Sequence, residues 1–208
     1  MAKKEAHISA LQDYLPAGTF DPVLAYLQQH HVHLTVARER RSVLGDYRHR
    51  MLDKNHRISV NGNLNQYAFL VTLLHELAHL LTFEKYGNRV AAHGKEWKNV
   101  FAQLLAQFIE HNVFPADIKS TLLKSLHDPA ASSCADEDLM RVLRTYDEKK
   151  SNLVFVETVA EGSLFKTHDG KIFRKGEKVR KRFKCVEVKT KRLYLFSPVY
   201  EVEQTPEQ

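Results

Sequence analysis

Apolar residues between Asn65 and Tyr86 recur at helical spacing through Phe69, Leu73, Leu77, Leu80 and Leu81, and Gly87 is placed to end the run. A second helix is predicted from Lys95 to His111, where Trp97, Phe101, Leu104, Leu105 and Phe108 share one face. Weaker helical patterns cover Ile118 to Leu126 and Asp136 to Tyr146. Near the N-terminus, Pro22 to His30 reads as a helix capped by Asp21. Alternating and β-branched positions at His33 to Val36 and His56 to Val60 predict strands. Arg38 to Tyr47 is a third extended segment between them, and Asn61-Gly62-Asn63 is a terminating turn. Asp128 to Ser133 reads as a loop.

Beyond Lys149 and Lys150 the pattern changes to short β runs: Val154 to Val156, Lys171 to Phe173, Arg182 to Val186 and Arg192 to Phe196. Gly162, Asp169-Gly170, Gly176 and Pro198 separate them. The pattern therefore divides the chain into residues 1–148, a mixed α+β domain with a short sheet before its central helix, and residues 149–208, a small all-β module.

Composition fits an ordinary soluble globular protein, with 43% hydrophobic and 27% charged residues. Charge sharpens the division. Residues 149–192 hold 14 Lys/Arg against 5 Asp/Glu, whereas residues 1–148 hold 17 of each, so the net +6 originates in the β module. No apolar stretch approaches the roughly 20 residues needed to span a bilayer. With no signal-peptide pattern and only Cys134 and Cys185, the expectation is a cytoplasmic protein with reduced thiols and no disulfide framework.

The chemistry concentrates in His75-Glu76-Leu77-Ala78-His79. Imidazoles four residues apart lie on one helical face and can hold one Zn²⁺, while Glu76, about 100° further round, is placed to act on water as a general base. Uncoordinated, two His and a Glu inside so apolar a helix would carry a burial cost. A third ligand is expected downstream. His93 is the best candidate, because it follows a turn at Gly87-Asn88 and precedes Gly94; Glu96 and His111 stand in reserve. Thr82 and Lys85 occupy the positions where metzincin spacing requires Gly and His, which excludes that class, and Glu84 points away from the pair.

Four blocks in order carry a resemblance: Arg41-Ser42-Val43-Leu44-Gly45-Asp46-Tyr47-Arg48, Ile58-Ser59-Val60-Asn61, His75 to His79, and His93-Gly94-Lys95-Glu96-Trp97. Together they resemble the SprT-like domain over roughly residues 20–115, the family of the Spartan proteases, which are similar to zincins and cleave proteins crosslinked to DNA. The resemblance implies a zincin-like metallopeptidase domain with His75, His79 and His93 as ligands to one Zn²⁺ per chain and Glu76 as the catalytic residue. It implies a protein substrate, and DNA as a partner.

Bacterial relatives often append a zinc ribbon with four Cys, whereas this module offers only Cys185 and a distant His168. A ribbon-like β shape without its metal is expected, stabilised by Phe155, Phe165, Phe173, Phe183 and Tyr194. The basic run Arg174 to Lys184 is dense enough to attract the phosphates of single-stranded or junction DNA, though a solvated hairpin would show similar charge. The competing function is a nucleic-acid- or transcription-associated binding protein with a mainly structural zinc. Glu76 favours the peptidase, since a structural site needs no acid there and usually takes four protein ligands.

Overall fold

A computed structural model describes residues 7–40, 43–50, 55–126, 136–148 and 152–205. Arg41, Ser42, the Asp128 to Ser133 loop, Cys134, Lys149 and Lys150 lie outside the described residues. Two compact units divide at Asp147/Glu148.

In the first unit a 3₁₀ segment, Ile8–Tyr14, precedes α1 (Phe20–Gln29), β1 (Val32–Ala37), β2 (Gly45–Arg48), β3 (His56–Asn61), α2 (Gln66–Tyr86), α3 (Lys95–Glu110), α4 (Ala116–Ser125) and α5 (Glu137–Arg144). The strands form a sheet of order β1-β3-β2, with β1 parallel and β2 antiparallel to the central β3. Asp21 does not cap α1. Thr19 holds the cap position, its hydroxyl donating to the Pro16 carbonyl at 2.7 Å, and Asp21 sits in the first turn, where its charge complements the helix dipole.

Asn61 is not a turn residue. It ends β3 buried, with its amide donating to the carbonyls of Arg40 at 2.8 Å and Val43 at 3.1 Å and its oxygen accepting from Arg40 Nε at 2.8 Å. These bonds satisfy two backbone carbonyls ahead of β2.

Helix α2 starts at Asn65, whose side chain accepts from the Ala68 N–H at 3.0 Å and donates to Leu143 O and Asp147 Oδ1. It ends at Gly87, whose φ of +62° few other residues tolerate. The expected single apolar face understates its burial. Leu70, Val71 and Leu74 are as inaccessible as Phe69 and Leu73, and Leu81 lies only partly buried. The helix is apolar nearly all round because it passes through the core, against β2 and β3 and against α3.

The second unit is a six-stranded antiparallel sheet: β4 (Leu153–Phe155), β5 (Leu164–Lys166), β6 (Ile172–Val179), β7 (Arg182–Glu187), β8 (Leu193–Phe196) and β9 (Glu201–Gln204), in order β4-β9-β5-β6-β7-β8. Strands β5 and β9 were not expected: each is short, and β9 alternates Glu with Val202 and so carries little β signal. Gly176 does not break a strand but lies within β6, where the register shifts between Lys175 and Lys178; a Cβ there would come within 2.6 Å of the Lys184 carbonyl.

The module's core is Val156, Val159, Phe165, Phe173, Cys185 and Val202. Phe155 is buried, Phe183 packs at the margin, and Tyr194 meets Phe173 at 5.2 Å while staying 36% exposed.

Candidate metal centre

The three histidines meet. Helix α2 stacks His75 and His79 one turn apart, and the segment after Gly87 folds back so that His93, just ahead of α3, faces both. His75 Nε2 lies 3.1 Å from His79 Nε2 and 3.3 Å from His93 Nε2. Two imidazole nitrogens bound at about 2.05 Å to one tetrahedral ion stand roughly 3.3 Å apart, so the donor set fits Zn²⁺. Glu96, His111 and Glu84 do not join the group. Glu84 is engaged elsewhere, 2.7 Å from His30 Nδ1 and 3.6 Å from His56 Nε2.

The return of His93 depends on a turn closed by the Gly94 N–H to the Ala91 carbonyl at 3.0 Å. Gly94 has an ordinary φ of −72°. Space there is tight: a Cβ would stand 3.2 Å from Ala91 O and 3.3 Å from Glu96 Oε2.

Burial and mutual repulsion keep the imidazoles neutral. Burial, then the neighbouring His79 and His93, holds His75 at about 3; burial and His93 hold His79 at about 4; burial alone lowers His93. At neutral pH the three imidazoles are therefore uncharged, the form in which each ring has one nitrogen able to ligate a cation.

Aromatic packing surrounds the three rings. Trp97 is fully buried, its ring 4.7 Å from His75, 5.2 Å from His79 and 4.8 Å from His93, and Phe101 stacks behind it at 5.0 Å. His75 Nδ1 and Trp97 Nε1 are both buried without a hydrogen-bond partner.

Glu76 is buried beside β2. Loss of solvent, then the Asp46 carboxylate, raises it to about 8, with Arg40 opposing. Gly45 makes this placement possible, since a Cβ there would overlap Glu76 Oε1. Two residues on, Tyr47 lies nearly parallel to His79 at 6.4 Å and bonds His56 Nδ1 through its hydroxyl at 2.9 Å; burial first and the charge of Glu84 second raise the phenol's pKa.

Sequence reasoning did not assign roles to Gly45, Asp46, Tyr47 or Trp97 at this site. The signal available was their position inside the motif blocks. A family model described as SprT-like matches residues 13–120, just over half of the 208-residue chain and every residue of the centre. The chain belongs to the SprT-like family. No curated protein and no solved structure matches it. The SprT-like match ends before the second unit begins, so the six-stranded module stands on its own sequence. In that module Cys185 is buried in the core with its thiol pKa raised by burial, and His168 bonds Tyr200, so neither joins a metal group; the three-His cluster is the one found among the described residues. No described helix is long and apolar enough to cross a membrane.

Proposed function

We propose that this SprT-like chain is a zinc-dependent endopeptidase of zincin-like design, with one Zn²⁺ held by His75, His79 and His93. The observation that carries the reading is a three-imidazole donor set, which leaves a coordination position for chemistry, beside a buried carboxylate on the same helix. When bound, Zn²⁺ supplies Lewis acidity that polarises a peptide carbonyl and acidifies water.

The chain's own residues do the rest. Burial raises Glu76 to about 8 without metal, and a cation held by the histidines would favour its carboxylate form, which accepts a proton from the attacking water and returns it to the leaving amine nitrogen. Strand β2 lies at the sheet edge over Glu76, and its unpaired side offers backbone donors and acceptors to an extended substrate. Trp97 and Phe101 hold the imidazoles in register.

We further infer that the substrates are DNA-associated or DNA-crosslinked proteins, delivered by a basic second unit that keeps a β platform without structural zinc. Support comes from the β6–β7 hairpin, where Lys178, Arg180, Lys181 and Arg182 are exposed. Phe183 is less available for base stacking than its sequence suggests, because Lys175 and Lys178 lie 4.2 Å and 5.7 Å from its ring centre.

The deciding experiment is Glu76→Gln. Zinc content and fold should be unchanged while cleavage of a DNA-binding protein, with single-stranded DNA present, is lost. Retained cleavage refutes the mechanism. A protein that cleaves nothing in either form, yet binds DNA in a salt-dependent way, supports a structural zinc in a binding protein instead.

A further inference from the structure

The second unit carries an edge that its core does not use. Along β6, β7 and β8 alternate side chains point to opposite faces. Phe173, Cys185 and Phe196 share the core face, whereas Ile172, Val186, Leu193 and Leu195 lie on the other, with Val186 directly opposite Leu193. Leu193 and Leu195 are 59% and 58% exposed and Ile172 is 39% exposed.

Strand β8 is also the last in the sheet, paired to β7 on one side only, so alternate backbone N–H and C=O groups point outward. Edge strands are ordinarily blunted by a charge, a proline or a bulge. Leu193-Tyr194-Leu195-Phe196 has none of these.

Charge around the edge decides what fits it. Residues 182–195 contain Arg182, Lys184, Lys189, Lys191 and Arg192 against one acid, Glu187, which is buried and accepts from Thr190 Oγ1 at 2.6 Å. A second copy pairing β8 to β8 would bring these cations toward their own images. Nucleic acid would meet the cations but gain little from leucines, and Tyr194, the aromatic on β8 with the greater exposure, faces Phe173 on the other side.

We propose that β8 is a docking edge for an extended, acidic and aliphatic segment of a partner protein, which adds to the sheet as a further strand. Its backbone pairs with β8, its aliphatic side chains cover Leu193 and Leu195, and its carboxylates meet Lys184, Lys189 and Arg192. This site is separate from the proposed peptidase chemistry and does not depend on it.

The test uses the full chain with two synthetic peptides, one alternating Glu with Val and one alternating Lys with Val, and a single-stranded oligonucleotide. Amide NMR should show the Glu peptide shifting β8 and β7, with no response to the Lys peptide. L193S/L195S alters only exposed positions, and near-ultraviolet circular dichroism checks its fold; it should weaken Glu-peptide binding roughly tenfold or more while leaving oligonucleotide binding intact. Leu193 and Leu195 sit opposite Val186 and Lys184 at non-hydrogen-bonded positions, so both amides point outward, and Leu193→Pro or Leu195→Pro should abolish strand addition. The proposal is overturned if the Glu peptide does not bind, if it binds the double variant equally well, if the double variant instead loses oligonucleotide binding, or if β8 mediates self-association.

Discussion

Replacing Gly45 with alanine tests the link between β2 and Glu76, the proposed catalytic carboxylate, with one methyl group. Gly45 does not have a positive φ, so alanine costs nothing in backbone conformation and the effect is steric. The new Cβ would overlap Glu76 Oε1 and lie 2.8 Å from both Glu76 Cγ and Thr72 Cγ2, where ordinary contact begins near 3.4 Å. Glu76 or β2 must therefore retreat by about 0.6 Å or more. Overpacking of this kind costs about 1–3 kcal/mol of stability. A displacement approaching 1 Å at a proton-transferring group lowers turnover by roughly tenfold to a hundredfold. The substitution is aimed at Glu76 and not at the three histidines, so the metal content of the variant should equal that of the unaltered protein. The assay is a thermal melt, a metal measurement and a cleavage rate on the same preparation. Wild-type turnover in G45A, or loss of metal in step with activity, refutes the reasoning.

Other outcomes follow from the same geometry. His75 and His79 sit at about 3 and 4 against an ordinary 6.5, so in metal-free protein their contribution to stability is complete above pH 6.5 and lost as pH falls toward 4; urea melts across that range should show it. Glu76 has the opposite sign. Raised from 4.5 to about 8, it penalises the metal-free fold as pH rises through that window, so E76Q without metal should be more stable than wild type at pH 8 by a few kcal/mol, and a bound cation should shrink the difference. Asn61→Ala should cost about 1–3 kcal/mol by stripping the Arg40 and Val43 carbonyls of their donor, read as a drop in denaturation midpoint.

The gathering of the three histidines was legible because its information is local. Four-residue spacing on an apolar helix brings His75 and His79 together whatever surrounds them, and a short turn returns His93 to within reach. The long helices were legible for a similar reason, since Asn65 and Gly87 mark both ends of α2 in the sequence itself. What escaped was tertiary. Nothing about Gly45 in isolation shows that a carboxylate 31 positions later needs its missing side chain, and Trp97 reads as one more core residue until the three imidazoles gather round it. Asn61 looked like a turn former because its backbone signal and its buried side-chain role are indistinguishable without Arg40 beside it. In the basic module, β9 is held by pairing with β4 and β5, which lie far earlier in the chain, so no short window contains its partners, and β5 is too short to stand out beside β6.

Trp97 is the chain's single tryptophan. Its indole touches all three rings of the centre, so the indole emission of the unlabelled protein comes from one position beside the donor set. Protonation, metal loading and distortion at the histidines should each change that emission, which makes the native chain its own optical probe, with no background from other indoles to subtract.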